Sequence, residues 1–322
     1  MTNIPALRRN TALACIFTLL ISVTAFSQVS LREAMDVDGD GKADHTIFRP
    51  ENNFWYVNKS GGGFDVVNFG IASQDFMTPG DYDGDNKGDI SVWRDTTGTW
   101  YRLNSSTGTF FAQQFGVTGD EPVARDYDGD GKTDIAVARR SNGALAWYIL
   151  RSGDGGFTAS QFGLATDYTA PGDYDGDNKF DLTVQRPGTT PTSQSTFYSL
   201  RSTDGGLTAV AWGVTNDLVV PGDYDGDNKT DFAVVREGST PTAPLVWYIL
   251  RSTDGSALIS FFGLTGSDLN VQNDYDGDGK TDIAIWRETD GTFYVLRSTD
   301  GGFNAVQWGA ANDYPVASYD TH

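Results

Sequence analysis

The chain has almost none of the residues on which disulfide-linked exported proteins and many hydrolases depend. It contains one cysteine and two histidines among 322 residues. Cys15 lies in the apolar N-terminal run, so the remainder of the chain can form no disulfide. Cys–His catalysis is therefore excluded. A Ser-His-Asp triad would depend on His45, because His322 is the last residue.

Glutamate is also scarce, which argues against a glycosidase, because such an enzyme needs two carboxylates flanking the bond that it cleaves. None of the glutamates recurs with a partner at a suggestive spacing: Glu33, Glu51, Glu121, Glu237 and Glu288. We therefore predict that the protein is not an enzyme.

Residues 1–27 have the features of a secretory signal peptide. Arg8 and Arg9 precede an apolar run from Thr11 to Phe26, and small residues before Gln28 suit cleavage by signal peptidase. The run is short for a membrane helix. We predict a secreted, periplasmic or cell-surface protein with no membrane span after signal cleavage; an uncleaved anchor is the alternative.

The negative charge of the chain is concentrated at a few points. Without residues 1–27, 21 Lys and Arg face 43 Asp and Glu, a net charge of −22, and 24 of the acids are aspartates of one recurring loop. Such a charge disfavours nucleic-acid binding. Since the exported part lacks disulfides, bound cations are the obvious alternative cross-links.

Six copies of this nine-residue acidic loop, here loops 1 to 6, divide the chain into repeats. They read DVDGDGKAD, DYDGDNKGD, DYDGDGKTD, DYDGDNKFD, DYDGDNKTD and DYDGDGKTD, and they begin at Asp36, Asp81, Asp126, Asp173, Asp223 and Asp274. Their spacings of 45, 45, 47, 50 and 51 residues are typical of repeat architectures, in which one unit cannot bury its apolar faces alone.

Each repeat contains the pattern of four strands. A β segment that ends in Arg follows the loop, as in Ile135 to Arg139, and an aromatic strand comes next, as in Trp147 to Ser152. A turn, usually with Asp-Gly, a strand ending in Phe-Gly or Trp-Gly, and a segment entering the next loop complete the unit. Both strand faces are apolar. We predict an all-β, six-bladed β-propeller of four-stranded antiparallel blades over residues 28–322.

This count leaves one strand over. The segment PVASYD from Pro315 resembles PVARDYD from Pro122, which enters loop 3. We expect the C-terminal segment to pair into the first blade and to close the ring, because closure removes an exposed sheet edge. The alternatives are that residues 29–36 close this blade, or that a seventh blade is assembled from both termini.

The acidic loop has the oxygen ligands that Ca²⁺ prefers. Carboxylates occupy positions 1, 3, 5 and 9, position 7 offers its carbonyl, and Gly or Asn at position 6 permits a left-handed backbone. A strand occupies positions 10 to 14, so the loop is a hairpin variant rather than a helical EF-hand. We predict about six Ca²⁺ ions, one per repeat, since unneutralised aspartates would repel one another. The predicted ligands are Asp36, Asp38, Asp40, Lys42, Asp44, Asp81, Asp83, Asp85, Lys87, Asp89, Asp126, Asp128, Asp130, Lys132, Asp134, Asp173, Asp175, Asp177, Lys179, Asp181, Asp223, Asp225, Asp227, Lys229, Asp231, Asp274, Asp276, Asp278, Lys280 and Asp282.

Two further charges recur once per repeat. An arginine ends the strand after each loop: Arg49, Arg94, Arg139, Arg186, Arg236 and Arg287. An aspartate lies in each connector: Asp75, Asp120, Asp167, Asp217, Asp268 and Asp313. They could form a ring of anion or sugar subsites, but we favour paired braces at the blade junctions, because a partly buried arginine requires a bidentate partner.

Repeats 4 and 5 carry the clearest asymmetry. The link after the strand-end arginine is five residues longer there than in repeats 1, 2 and 6, and it reads PGTTPTSQST over residues 187–196 and EGSTPTAPLV over residues 237–246. We expect these links on the face opposite the acidic loops, as a candidate recognition patch. Neutral surface variation is the alternative.

The chain resembles the FG-GAP/VCBS repeat family, which includes the propellers of integrin alpha subunits, over residues 36–320. Phe162-Gly163, then Ala170-Pro171-Gly172, then loop 4 are similar to its Phe-Gly and Gly-Ala-Pro signature with a calcium hairpin. Trp-Gly at Trp212 and Trp308, and the missing Pro-Gly before loops 3 and 6, depart from the pattern. The resemblance implies Ca²⁺ at the loop aspartates and a role in adhesion or ligand binding.

We therefore expect an exported, calcium-binding propeller that acts as a binding or adhesion module for an extracellular protein or glycan. One alternative is a lectin with aromatic and arginine pockets between blades. A less favoured alternative is a propeller polysaccharide lyase or hydrolase, because fold alone does not determine function.

Overall fold

The computed structural model describes residues 34–316, and all regular structure within them is β. No helix in that range is long and apolar enough to cross a membrane. The predicted signal peptide, Cys15 and His322 lie outside the described residues.

The strands follow the repeat pattern that the sequence predicts. In chain order they are β1 (His45–Arg49), β2 (Phe54–Asn58), β3 (Phe64–Asn68), β4 (Asp75–Met77), β5 (Ile90–Arg94), β6 (Thr99–Leu103), β7 (Phe110–Gln114), β8 (Glu121–Pro122), β9 (Ile135–Ser141), β10 (Ala144–Leu150), β11 (Phe157–Leu164), β12 (Tyr168–Thr169), β13 (Leu182–Arg186), β14 (Gln194–Leu200), β15 (Leu207–Val214), β16 (Leu218–Val219), β17 (Phe232–Arg236), β18 (Pro244–Leu250), β19 (Ala257–Leu264), β20 (Asp268–Asn270), β21 (Ile283–Arg287), β22 (Thr292–Leu296), β23 (Phe303–Gln307) and β24 (Tyr314–Val316).

These strands form six four-stranded antiparallel sheets, arranged as a six-bladed β-propeller. Blades 2 to 6 are β4–β7, β8–β11, β12–β15, β16–β19 and β20–β23, and each keeps chain order across the sheet. We name the four strands of a blade A to D. Strand D is the solvent-exposed outer edge, and every residue of β7 is exposed. Strand A therefore lies at the inner edge, nearest the propeller axis.

Blade 1 combines the two ends of the described chain. Strand β24 pairs with β1, with Thr46 opposite Val316 and Phe48 opposite Tyr314, and the sheet order is β24-β1-β2-β3. The prediction that the C-terminal strand closes the ring is confirmed. The alternatives, closure by residues 29–36 and a seven-bladed ring, are wrong, because β24 itself completes the sixth sheet.

The hydrophobic core consists of layers between adjacent blades. Leu245, Trp247 and Ile249 of strand C in blade 5 pack against Ile283 and Ile285 of blade 6, and all five are buried. Because strands B and C alternate between two such layers, both of their faces are apolar. Each blade is therefore stable only against its neighbours.

The connections lie on two opposite faces of the ring. The acidic loops join strands A and B, and they share one face with the C–D turns; we call this the loop face. The B–C links and the connectors from strand D to the next strand A share the other face, here the connector face. The long links of blades 4 and 5 lie on the connector face, as predicted: Thr215 and Thr265 of the connectors donate backbone hydrogen bonds to the carbonyls of Ser193 and Ala243.

Candidate metal centres

Each acidic loop is a tight hairpin between strands A and B. In loop 3 the residues at its base, Arg125 and Asp134, form an isolated antiparallel bridge. Position 6 has a positive φ in every loop, as the sequence predicts: Gly41, Asn86, Gly131, Asn178, Asn228 and Gly279. Position 6 therefore turns the backbone inward, which only Gly or Asn does at low cost.

The first aspartate organises the loop around its own carboxylate. In loop 3, Asp126 Oδ1 accepts a hydrogen bond from Gly129 N at 2.6 Å, and Oδ2 accepts one from Gly131 N at 2.9 Å. The equivalent pair occurs in all six loops. Burial nevertheless raises the pKa of Asp126 to about 7. The ionised carboxylate therefore requires more positive charge than the amides supply.

The aspartate at position 9 joins the loop to the C–D turn of the same blade. Asp134 Oδ2 accepts from Tyr127 N at 2.9 Å, and Oδ1 accepts from Ser152 N at 2.6 Å. Burial raises the pKa of Asp134 to about 6. The Asp134 carboxylate closes the base of the loop. Its ionised form, like that of Asp126, requires more positive charge than its N–H donors supply.

A serine in each C–D turn completes the arrangement. Ser152 Oγ lies 2.9 Å from Oδ1 of Asp130 and so orients this aspartate, which stands at position 5 of the loop. All six blades have this serine with both contacts: Ser60, Ser105, Ser152, Ser202, Ser252 and Ser298. Our sequence analysis did not identify these serines. Their regular place after the aromatic strand is the signal that could have identified them, although in blades 3 to 6 the serine reads as the last residue of that strand.

The aspartate at position 3 shows whether the loop has an oxygen free to bind a cation. The Oδ1 atoms of Asp83, Asp175, Asp225 and Asp276 are buried without a hydrogen-bond partner. An ionised oxygen in such a position is costly unless a cation or water contacts it. The donor set, carboxylate oxygens in a tight loop, suits Ca²⁺. The residues of the loops therefore fit the predicted ion.

The predicted carboxylates converge to different degrees. In loop 3 all four aspartates place one oxygen each within 4.8 Å of one another. In loops 1 and 2 positions 1, 3 and 5 meet, whereas in loops 4 and 5 positions 1, 3 and 9 meet. In these five loops the carboxylates outside the groups are Asp44, Asp89, Asp177 and Asp227.

The lysine at position 7 has a role that the sequence analysis did not predict. Its backbone N–H donates to the fifth aspartate, as from Lys132 N to Asp130 Oδ1 at 2.9 Å. Its ammonium crosses to the preceding blade, where Lys132 Nζ lies 2.7 Å from the carbonyl oxygen of Asp83. The same contact joins Lys42, Lys87 and Lys229 to the preceding loops. Ligation by the lysine carbonyl remains a prediction.

A closed belt of backbone hydrogen bonds links all six loops. Position 8 of each loop donates to the position 1 carbonyl of the preceding loop, at 2.6 to 2.9 Å. The belt includes the step from Ala43 of loop 1 to Asp274 of loop 6, 2.7 Å long, across the junction where the ring closes. Six candidate metal centres therefore share one continuous backbone network.

The recurrent arginines and connector aspartates form the predicted braces on the connector face. Arg139 Nε and Nη2 donate to Asp120 Oδ1 and Oδ2 at 2.6 and 2.7 Å, and the guanidinium lies 4.6 Å from the Tyr148 ring centre. Asp120 also accepts from Val117 N in the connector. All six blades repeat the bidentate pair, and the aspartate side chains are at most 3% exposed. The pairing prediction is confirmed, and these aspartates are already saturated.

His45 lies in the layer between blades 1 and 6. Its ring centre is 5.0 Å from those of Tyr275 and Phe293. Burial lowers the pKa of His45 to about 4, so the ring is neutral at pH 7. The residue therefore serves as a packing element at the junction where the ring closes.

Comparisons with known proteins support the repeat and the fold. Residues 126–184, from loop 3 into β13, match a family model described as an FG-GAP-like repeat. A triple Arg-to-Ala variant of AofleA from Arthrobotrys oligospora is similar in structure, with a TM-score of 0.51 and 9% identity over 88% of this chain and 90% of that one. A catalytically inactive virginiamycin B lyase from Staphylococcus aureus, solved with quinupristin, has a TM-score of 0.46 and 10% identity over 93% and 85%. No curated protein sequence matches the chain significantly.

Proposed function

We propose that the protein is an exported, calcium-stabilised propeller that acts as a binding module for an extracellular protein. In this proposal the ions occupy the loop face, where they hold the acidic loops to the C–D turns. The ligand binds elsewhere, at the junction of blades 4 and 5. We call the exposed apolar residues Ile259 and Phe261 and the link 187–193 the blade 4–5 patch.

One observation carries the proposal: blade 5 exposes a phenylalanine at a strand D position where the other blades have polar or small residues. Phe261 is 69% exposed and Ile259 is 52% exposed. The other blades have polar or small residues at the position of Phe261: Asn68, Gln114, Gln161, Ala211 and Gln307. Together with exposed Ile259 on the same side of the sheet, a phenylalanine that interrupts such a series supports the proposal of a contact with another molecule.

The position of these side chains places them beside blade 4. Ile259 pairs with Tyr248, and Phe261 pairs with Val246, so all four lie on one side of the blade 5 sheet. Tyr248 packs against the cluster that contains Phe197 of blade 4, and its carbonyl accepts a hydrogen bond from the indole of Trp212 of blade 4. The link 187–193 borders the same junction, because Ser193 accepts a hydrogen bond from the connector that leaves blade 4.

The chemistry of the patch favours a protein over a glycan. Its exposed centre is aromatic and aliphatic, and the nearby Arg236 is engaged by Asp217 in a bidentate pair at 2.7 and 2.8 Å. A lectin would require polar groups that are free to bind sugar hydroxyls. An apolar anchor with a polar rim is typical of a protein-binding surface.

The test uses the full chain in Ca²⁺ on an array of extracellular proteins and on a glycan array. The variant Phe261→Gln carries the residue of blades 2, 3 and 6, and we expect it to reduce binding to a protein ligand by at least about tenfold, because the truncated residue is the central anchor. Gln161→Ala at the same position of blade 3 is the matched control. Binding to glycans alone would favour the lectin alternative, and unchanged protein binding by Phe261→Gln would reject the patch.

A further inference from the structure

The residue that follows the C–D turn serine divides the six loops into two groups. It carries a hydroxyl in blades 2, 4, 5 and 6, and it is glycine in blades 1 and 3. The hydroxyl residues are Ser106, Thr203, Thr253 and Thr299, and the glycines are Gly61 and Gly153.

In blades 2, 4, 5 and 6 the hydroxyl side chain holds the aspartate at position 3 of the acidic loop. Ser106 Oγ lies 2.5 Å from Asp83 Oδ2. The threonines make the same contact with Asp175, Asp225 and Asp276. These four aspartates are the ones whose Oδ1 is buried without a hydrogen-bond partner. One carboxylate oxygen is thus held by the turn, and the other remains available inside the loop.

In blades 1 and 3, where the turn residue is glycine, both carboxylate oxygens of the aspartate at position 3 accept hydrogen bonds from backbone N–H groups. Asp128 Oδ2 accepts from Gly153 N at 3.2 Å, and its Oδ1 accepts from Asp130 N, also at 3.2 Å. Loop 1 repeats this arrangement with Asp38, at 3.2 and 3.3 Å. The oxygen that loops 2, 4, 5 and 6 leave bare is here occupied by an amide of its own loop.

We propose that the six centres form two classes, four of higher and two of lower affinity for Ca²⁺, and that the turn residue sets the class. The inference rests on the calcium binding of the proposed function. A cation displaces nothing from the bare oxygen of Asp83, but it competes with an N–H donor at Asp128. The hydroxyl is a positioning group: it orients a ligand, and loss of such a partner typically weakens metal affinity by about 10- to 100-fold.

The experiment is a calorimetric Ca²⁺ titration of the full chain after its metal has been removed with chelator. We expect two phases with a ratio of four tight sites to two weak ones. Thr203→Ala should change the ratio to three and three, with the lost site weakened by about 10- to 100-fold. The separate variant Thr203→Ser keeps the hydroxyl, as in blade 2, and should retain four tight sites.

The reciprocal variant adds a hydroxyl to blade 3. The backbone of Gly153 is not left-handed, and a Cβ there would lie 3.0 Å from Asp128 Oδ2. Gly153→Thr should therefore move this carboxylate toward the geometry of blade 4 and give five tight sites. A wild-type titration with six equal sites, or a Thr203→Ala protein that keeps four tight sites, would overturn the inference and leave the calcium proposal intact. Absence of any Ca²⁺ binding would overturn both.

Discussion

At the scale of single residues, tryptophan and phenylalanine exchange places between two strands of a blade. In blades 1, 2, 3 and 5 strand C supplies the tryptophan, and its indole N–H donates to the carbonyl of the Phe-Gly phenylalanine, as from Trp147 to Phe162 at 2.9 Å. In blades 4 and 6 strand C has Phe197 or Phe293, and Trp-Gly supplies the indole. Trp212 then donates to the carbonyl of Tyr248 in the next blade, at 3.1 Å.

This exchange explains the Trp-Gly departures from the repeat pattern. At these two positions each layer keeps one indole and one phenyl ring, and in both arrangements the indole N–H has an acceptor. Trp93 and Trp286 of strand B add a second indole to two of the layers. A buried indole without one would lose about 1 to 3 kcal/mol. The departures are therefore compensated substitutions, and the blade geometry is unchanged by them.

We predict that Phe197 and Trp212 are energetically coupled. Phe197→Trp alone should destabilise the protein by about 1 to 3 kcal/mol, because the larger indole would overpack the fully buried position of Phe197 beside Trp212. Trp212→Phe alone should cost a similar amount, through a lost hydrogen bond and a small cavity. The double variant reproduces the arrangement of blade 3, and urea unfolding should give a coupling of at least about 1 kcal/mol. Additive losses would contradict the exchange.

At the scale of the structural element, adjacent acidic loops pack against each other at one point. The residue that precedes one loop contacts the residue at position 8 of the following loop. A glycine precedes loops 2, 4 and 5, and in each case the following loop has threonine at position 8. A Cβ on Gly80, Gly172 or Gly222 would lie within 2.6 or 2.7 Å of the hydroxyl oxygen of Thr133, Thr230 or Thr281. Where the next loop has Gly, Phe or Ala at position 8, the preceding residue is Met35, Arg125 or Asn273.

This pairing explains why Pro-Gly is missing before loops 3 and 6. We predict that Gly172→Ala destabilises the protein by about 1 to 3 kcal/mol, because its methyl group would overlap the buried Thr230. Adding Thr230→Gly, with the glycine that loop 2 has at position 8, should recover most of this loss, because even the Cβ of Thr230 would lie 2.9 Å from the new methyl group. Thr230→Gly alone is the control. Thermal unfolding of the three variants checks this, and a double variant as unstable as Gly172→Ala would show that the contact is not the cause.

The sequence predicted the elements well because each repeat has its own internal signals. Strands B and D, the hairpin turns and the left-handed position 6 follow from alternation, Asp-Gly and Asn or Gly. Contacts between repeats could not be found in this way. The lysine that crosses to the preceding loop and the glycine beside Thr230 join residues about one repeat apart, and only the packing of the blades brings them together.

At the scale of the whole molecule, the belt of loops replaces the cross-links that the chain lacks. Each candidate centre lies between a loop and a turn of one blade, and the belt joins it to both neighbouring blades. An ion bound at any centre would therefore stabilise contacts on two sides. Because binding to the folded state alone adds free energy of unfolding, the effect of six ions should be large.

We predict that chelator lowers the Tm of the purified protein by more than roughly 10 °C and that millimolar Ca²⁺ restores it. A free ion concentration of about ten times Kd adds about 1.4 kcal/mol per site, and a protein of this size loses roughly 2 to 4 °C per kcal/mol. Calorimetry with Mg²⁺ as the control ion checks the effect. A melting curve that is the same in chelator and in Ca²⁺ would remove calcium from the description of this propeller.

The pairing of β24 with β1 also determines when the fold can be completed. Thr46 and Val316 are neighbours in space but lie 270 positions apart in the sequence. As the chain emerges during synthesis, blades 2 to 6 can assemble in order, each on the one before it. Blade 1 has to wait, with the edge of β1 unpaired, until the final strand arrives. Such late, long-range pairing slows folding and leaves an edge open to other chains. The step that turns an open row of blades into a ring therefore occurs only after nearly all of the chain has been made.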